Sequence, residues 1–282
     1  MGSPKSAIVV RDLDSVADLR LAMALEREVW ESDDADVTSL TLAVATRAAG
    51  ALWLGAFEGA EVVGFAFALP SIEHGRLGFH SHMLGVRPAH RNRGVGSALK
   101  LAQRQRALAL GVKTMTWTFD PLRAANAHVN FSKLGVTSGD YRVDFYGPRT
   151  SSPLHINGTD RLWLAWAMTD RRVENRLRGG DSRGAVLDVL SHLEPLVRFN
   201  GNGRPAEADL ASALARQRIA IEIPGDIGVI ETNDASLGHE WRMATRRAFT
   251  EAIKAGFVVT EFCRSIRGQQ GPGAYLLEKE EP

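Results

Sequence analysis

A short segment rich in arginine and glycine places the strongest constraint on how this chain can fold. It reads Arg91-Asn92-Arg93-Gly94-Val95-Gly96. Residues 76–86, which precede it, have the composition of a strand, and apolar residues recur at helical spacing through residues 95–109. The segment therefore predicts a turn that leads from a strand into a helix.

The composition of this turn favours an anion. Because Gly94 and Gly96 have no side chain, several backbone N–H groups of the first helical turn can converge on one ligand. Arg91 and Arg93 add positive charge, and a guanidinium can bind phosphate through two parallel hydrogen bonds. The pattern predicts a phosphate site. The alternative is a solvated basic turn, because short glycine motifs are weak signals on their own.

The overall charge gives no sign of a large charged partner. The 282 residues include 34 basic and 33 acidic side chains, so any anion site must be local, and we expect neither a nucleic acid nor a membrane as partner. Cys263 is the single cysteine, which excludes an internal disulfide framework and favours the cytoplasm. No apolar run approaches the ~20 residues that cross a bilayer.

The first half of the chain has the pattern of an α/β domain. Alternating and helical periodicities predict a mixed sheet with flanking helices, in which the phosphate turn lies at the carboxyl end of a middle strand, where open sheets bind ligands. The predicted strands are residues 7–11, 51–57, 62–69, 77–86, 112–119 and 141–146, and the predicted helices are residues 15–29, 40–49, 95–109 and 126–134.

Prolines and serines between residues 147 and 155 indicate a linker. The predicted domains are therefore residues 1–147 and 148–282. Beyond the linker the pattern predicts a solvated loop at residues 171–180. It also predicts strands at residues 161–168, 219–223, 257–262 and 274–277 and a helix at residues 236–255. This second α/β region either is a degenerate half-copy of the first, extending its sheet and walling off an acceptor pocket, or repeats common elements by coincidence.

The turn also resembles a known motif. Arg91, Gly94 and Gly96 fill the core pattern of the acyl-CoA-binding motif of the GNAT acetyltransferase superfamily. The element order over residues 7–146 is similar to that fold, and residues 131–135 resemble its second signature. The resemblance implies a GNAT-like mixed sheet, and a degenerate half-GNAT in the C-terminal region if that region is a copy.

A narrower resemblance covers most of the chain. Residues 118–122, 126–131, 159–162 and 241–256 are similar to GNAT relatives encoded beside N-acylamino acid racemases or o-succinylbenzoate synthases. Those relatives are thought to be N-acyltransferases of amino acids. The resemblance implies transfer of an acetyl or succinyl group to a small amine.

The GNAT resemblance implies acetyl-CoA or another acyl-CoA as co-substrate. Its pantetheine arm would pair with the strand that ends at Val86, and the phosphates would lie at the turn. The residues expected to bind it are Leu84, Val86, Arg91, Asn92, Arg93, Gly94, Val95, Gly96, Ser97, Asn126 and Asn130. No metal-ligand spacing is present in the sequence.

The expected catalytic groups are less sharply defined. The backbone N–H near Leu84 would serve the developing oxyanion, as the resemblance implies. His82, which shares a strand face with His80, is one candidate base, and Glu73 in the preceding loop is the other. Each has a structural alternative: a histidine hydrogen-bonded within the sheet, and a surface charge. Phe131 stands where many GNAT enzymes have the tyrosine that protonates the thiolate. The sequence leaves three alternatives: Tyr141 or Tyr146 is the donor, the thiolate leaves unassisted, or no transfer occurs.

Three other residues are expected to be structural. Asp120 terminates a strand, although its carboxylate could anchor an acceptor ammonium. His128 is expected at the surface, and Cys263, within an apolar strand, in the core.

The sequence therefore predicts an acyl-CoA-dependent N-acyltransferase acting on a small-molecule amine, and a homodimer is compatible with it. The alternative is a non-catalytic acyl-CoA-binding or sensor protein, favoured by Phe131. A protein acceptor is a third option, although nothing in the sequence marks a peptide groove.

Overall fold

A computed structural model describes residues 7–31, 37–73, 75–148, 150, 152, 155–268 and 271–279. They form two compact units, of which the first comprises Met1–Trp117 and Thr150–Ile156 and the second comprises Thr118–Arg149 and Asn157–Pro282. Pro153 of the predicted linker lies outside the described residues. The domain boundary after Gly147 stays a prediction.

The first unit is an α/β layer structure. Its strands are β1 (Ile8–Asp12), β2 (Leu52–Glu58), β3 (Glu61–Glu73), β4 (Arg76–Val86) and β5 (Thr114–Phe119), the last of which continues into the second unit. Its helices are α1 (Val16–Trp30), α2 (Leu40–Ala48), the short 3₁₀ helix Pro88–His90, and α3 (Val95–Ala109).

Strands β1 to β5 lie in that order. Neighbours from β1 to β4 are antiparallel, whereas β4 and β5 are parallel. One apolar cluster joins α1 and α2 to the sheet, and a second joins α3 to it. The predicted mixed sheet with flanking helices is therefore confirmed, because both faces of these strands are apolar and each needs a helical cover.

Local signals place the helix ends where the sequence predicted them. Ser15 caps α1 by accepting the backbone N–H of Asp18, whose side chain returns a bond to the Ser15 backbone. The predicted bounds of β3 were too short. We expected Glu73 in a loop, but the strand continues to this residue and ends there.

The second unit begins within β5 and continues with α4 (Ala124–Ala127), which runs into a π-helical segment, His128–Leu134. Its strands are β6 (Tyr141–Arg142), β7 (Arg161–Ala167), β8 (Val197–Phe199), β9 (Pro205–Glu207), β10 (Arg218–Ile223), β11 (Phe257–Cys263) and β12 (Gly273–Lys279). Its further helices are α5 (Arg171–Leu177), α6 (Arg183–Ser191), α7 (Leu210–Leu214), α8 (Ile227–Asn233) and α9 (Ala235–Lys254).

These elements build a second sheet with the order β11-β12-β10-β8-β9, while β6 pairs with β7. Two predictions for this unit were wrong. Residues 171–177 form α5, because Asp170 caps a helix that buries Val173. The predicted strand at residues 141–146 keeps only Tyr141 and Arg142, and the chain then turns. No helix in the described part of the chain could span a bilayer.

A buried ion pair crosses the core of the second unit. Both terminal nitrogens of Arg242 donate to Asp120, at 2.9 and 2.8 Å, and the side chains are 2% and 9% exposed. Burial alone would raise the pKa of Asp120, but Arg242 more than compensates and holds it below its ordinary value. Asp120 is thus committed to a structural pair.

Removing one partner of this pair should destabilise the protein strongly. We expect Arg242→Met to lower the free energy of unfolding by about 3–5 kcal/mol, because the buried carboxylate of Asp120 would lose both hydrogen bonds from Arg242 and keep only the longer ion pair with Arg123, at 3.5 Å. The double variant Asp120→Asn with Arg242→Met should lose less than the single variant. Urea unfolding of both proteins checks this, and an equal or larger loss in the double variant would contradict it.

Candidate functional site

The predicted phosphate turn has the backbone of an open helix start. Gly94 is the residue before α3 and has φ 81°, and its cap position has no side-chain hydrogen bond. This left-handed conformation strains any residue with a Cβ, which explains the glycine. The first N–H groups of α3 therefore carry no side-chain acceptor, which leaves the helix N-terminus suited to an anion.

An acidic residue at the end of β2 holds the turn. Glu58 accepts from Arg93 at 2.6 Å and pairs with His90 at 3.0 Å. The hydrogen bond from Arg93 and then that from His90 hold the pKa of Glu58 below its ordinary value. Arg91 instead donates through Nε to the carbonyl of Val86, at 3.2 Å. Arg91 and Arg93, the two arginines predicted to bind phosphate, are thus exposed. Each is held by a hydrogen bond to a residue at the end of a neighbouring strand.

Strand β4 leads into this turn with one edge largely open. Its parallel pairing with β5 covers two positions, Phe79 with Met115 and His80 with Thr116. On the other edge, the Arg87 backbone N–H donates to Val63 at 2.9 Å. N–H groups alternate in direction along a strand.

This alternation gives the direction of the next donors along β4. In the antiparallel register with β3, Leu84 and Val86 occupy the positions whose N–H groups point away from β3. Both therefore face the open edge. An extended ligand could pair there as an additional strand, with a donor at Leu84.

A bulge interrupts β4 at His82. Phe67 of β3 lies opposite Met83, and the next residue, Ala68, lies opposite Ser81, so that His82 is the extra residue. Its ring meets that of Phe67 edge-on, with centroids 6.0 Å apart. A bulge re-aims a side chain, and here it turns the imidazole onto the Phe67 ring of β3.

The surroundings of His82 favour its neutral form. Although the residue is in part exposed, desolvation by the neighbouring protein lowers its pKa below the ordinary value. A neutral imidazole can accept a proton near neutral pH. His82 therefore has the protonation state that a general base requires.

Glu73, the second predicted base, lies in a series of hydrogen-bonded side chains. The hydroxyl of Thr116 donates to Glu73 at 2.9 Å and lies 3.0 Å from Nδ1 of His80. A hydroxyl has one proton, so Thr116 accepts at its other contact, and Nδ1 of His80 carries the hydrogen. Glu73 thus fixes the tautomer of His80 through Thr116, a bridging residue that the sequence analysis missed.

Gly85 has a packing role that the sequence did not indicate. An added Cβ would lie 3.0 Å from Phe65 and 3.3 Å from Trp30. The missing side chain leaves room for Phe65 of β3 and Trp30 of α1, whose rings pack edge-on.

Comparison with known proteins adds a family to this geometry. Residues 16–135 match the sequence model of the acetyltransferase (GNAT) family. We call these residues the GNAT segment. The match covers less than half of the 282 residues and includes the bulge, the open edge and the turn. No curated protein matches the chain.

Several solved structures are similar to the chain. The ribosomal-protein-S18-alanine N-acetyltransferase from Escherichia coli has 18% identity and a TM-score of 0.46, covering 58% of this chain and 97% of its own. The yncA structure from Salmonella typhimurium, with its cofactor acetyl-CoA, has 18% identity and a TM-score of 0.46, covering 59% and 96%. An aminoglycoside 6'-N-acetyltransferase complexed with coenzyme A has 17% identity and a TM-score of 0.43, covering 58% and 98%.

The remaining predicted ligands of the GNAT segment lie in the second unit. Asn126 is exposed in α4, whereas Asn130 is 6% exposed. The helix changes to π geometry at His128, and the two side chains differ in exposure although only four residues separate them. Their role in binding stays a prediction.

Phe131 occupies the position at which the GNAT resemblance implies an acidic tyrosine. Phe131 is fully buried, with its ring 5.7 Å from that of Tyr275 and nearly perpendicular to it. Tyr141 donates to Asp160 at 2.6 Å, and burial followed by that carboxylate raises its pKa well above the ordinary value. Tyr141 is therefore a weaker acid than an exposed tyrosine. The hydroxyl of Tyr146 lies 3.4 Å from that of Thr118.

A buried lysine in the GNAT segment was not anticipated from the sequence. Lys100 of α3 is 7% exposed and donates to Ser81 at 2.7 Å, and its Nζ lies 3.8 Å from the ring centroid of Trp117. Burial lowers its pKa to about 7. Helical periodicity places position 100 on the inner face of α3. The contact of its lysine with Ser81 of β4 depends on tertiary packing, which no local pattern reveals.

Lys100 should make the stability depend on pH. Its pKa is about 7 when folded and 10.5 ordinarily, so between these values the unfolded chain holds a proton that the folded chain has released. Stability should therefore rise by about 3 kcal/mol between about pH 7 and pH 9.5. Urea unfolding of Lys100→Met should lack this rise, and a difference between the two proteins that stays constant with pH would contradict the assignment.

Proposed function

We propose that the protein is an acyl-CoA-dependent N-acyltransferase that moves an acetyl or succinyl group to a small amine. The observation that carries the proposal is the open edge of β4, which ends at an uncapped helix start within a GNAT segment. An extended thioester with a pyrophosphate at its far end needs both features in this order.

Each part of acyl-CoA has a proposed binding group on this chain. The N–H groups of the first turn of α3, with Arg91 and Arg93 beside them, would hold the pyrophosphate. The N–H groups of Leu84 and Val86 would pair with the pantetheine amides. Asn92, Val95, Gly96 and Ser97 complete the turn, and Asn126 and Asn130 belong to the same proposal.

The chemistry assigned to the chain is a direct attack. His82 would take the proton that the amine loses as its nitrogen bonds to the acyl carbon, while the bond from that carbon to sulfur breaks. The N–H of Leu84 would donate to the carbonyl oxygen as charge develops on it. Since a thiol has a pKa of ~8.5, its thiolate can leave without the tyrosine that Phe131 replaces.

An amino acid is the acceptor class we favour. The support is the narrower resemblance to the GNAT relatives encoded beside racemases, which extends into the second unit at residues 159–162 and 241–256.

Glu73 has a positioning role in this proposal, because it contacts Thr116 and acts on His80 through it.

A second candidate function is a non-catalytic acyl-CoA sensor. The observation that favours it is Phe131, which packs between Phe119 and Tyr275 where the acid is expected. Release of free thiol from acetyl-CoA and succinyl-CoA with a panel of amino acids separates the two functions. Tight binding without turnover would favour the sensor.

A substitution in the turn should abolish binding. We expect Gly94→Glu to weaken acetyl-CoA binding at least tenfold, because the carboxylate repels phosphate and the residue strains the left-handed backbone. Calorimetric titration of both proteins measures the change. Gly59→Glu, also at a left-handed glycine, in the turn between β2 and β3, is the control and should retain binding. Unchanged affinity in Gly94→Glu would contradict the cradle.

His82 should govern the chemical step. We expect His82→Gln to lower kcat by roughly 10²–10⁴, with little change in acetyl-CoA binding and loss of the acidic limb of the pH–rate profile. His80→Gln is the matched control on the same strand and should lose less, because its imidazole is engaged with Thr116. Equal losses in the two variants, or an unchanged profile in His82→Gln, would exclude His82 as the base.

A further inference from the structure

The second unit contains a cavity that the proposed function does not use. Its volume is about 360 Å³, and its walls come from the π-helical segment, the residues around the start of α6, and β11. Ligand sites in proteins begin at about 300 Å³. The cavity is therefore large enough for a small metabolite.

Three cationic side chains line this cavity: Lys133, Arg176 and Arg183. The ammonium of Lys133 makes no hydrogen bond or ion pair with any residue in the described ranges. Nη1 of Arg183 donates to the backbone carbonyl of Arg264, at 3.1 Å. A carbonyl carries no net charge, so neither Lys133 nor Arg183 forms an ion pair within the described residues.

Two carboxylates also lie in the wall. Asp181 accepts the backbone N–H of Arg183 at 2.8 Å, immediately before the start of α6, and keeps its negative charge. Glu261 forms ion pairs with Arg172 and Arg176. Three cations against two carboxylates leave the wall with a net positive charge.

Arg176 provides an independent sign of a missing acceptor. Its side chain is 9% exposed, and its buried Nε–H has no hydrogen-bond partner among the described residues. Unpaired buried donors are rare in folded proteins because they lose water without a replacement. An anionic oxygen within the cavity would supply the absent acceptor.

His128, which we expected at the surface, is half-buried in the same wall. Burial first, and then the positive charges of Arg264, Lys133 and Arg183, lower its pKa to about 4. The imidazole is therefore neutral near neutral pH, and it senses the positive potential. The apolar part of the wall comes from Val186, Phe262 and Cys263.

We propose that this cavity binds a small organic monocarboxylate. The carboxylate lies toward Lys133, Arg183 and the Nε–H of Arg176, and a short apolar body lies against Val186 and Phe262. The site takes a negatively charged head and an apolar tail, because cations and apolar side chains line the same cavity.

Hexanoate is the probe, and hexylammonium, of equal chain length and opposite charge, is its counterpart. Cys263 is the only cysteine, so the rate at which a disulfide reagent modifies the folded protein reports on this cavity. Hexanoate should slow the modification saturably and should raise the pKa of His128 followed by proton NMR. Hexylammonium should do neither, and inorganic phosphate should bind more weakly than hexanoate.

Exposed cations provide variants that do not disturb the core. Lys133→Gln and Arg183→Gln should each weaken hexanoate binding by about tenfold. Lys254→Gln, which removes an exposed lysine of α9 outside the cavity wall, should leave it unchanged. The proposal is overturned if hexanoate at tens of millimolar leaves Cys263 and His128 unaffected, if hexylammonium or phosphate binds equally well, or if the two cavity variants retain full affinity.

Discussion

Strand β4 has unequal hydrogen bonding on its two edges, and the candidate site depends on this inequality. The edge toward β3 is paired from Arg76 to Val86, whereas the edge toward β5 is paired at two positions. Buried backbone donors require acceptors. The N–H groups of Leu84 and Val86 have no partner in β5, so the strand is suited to a ligand with amides of its own. The uncapped turn that follows suits that ligand's anionic end.

The elements of the fold could be predicted from the sequence because their signals are local. Short apolar runs identified β2 and β11, and capping residues such as Ser15 marked helix starts. The bulge at His82 could not be predicted, because it is defined by the register against Phe67 and Ala68 on another strand. The turn was recognised from its glycines, but its anchor, Glu58, lies 35 residues away from Arg93.

Buried charge was the other feature that local patterns could not reveal. Lys100 stands within a helix at ordinary spacing, and its burial follows from the contact with Ser81. Asp120 has the sequence context of a strand end, and its pairing with Arg242 depends on α9, which brings in a residue 122 positions further along the chain. In both cases the sequence supplies the polar group, while tertiary packing determines its partner and hence its pKa.

The pair of Asp120 and Arg242 also constrains how the second unit can form during synthesis. The partners are separated by 122 residues, and ribosomes add about 5–20 residues each second. For several seconds, therefore, Asp120 has only its longer contact with Arg123, at 3.5 Å, and lacks the two hydrogen bonds that Arg242 will donate. Since burial of an incompletely paired carboxylate is unfavourable, we expect the core around β5 to close only after α9 has been made.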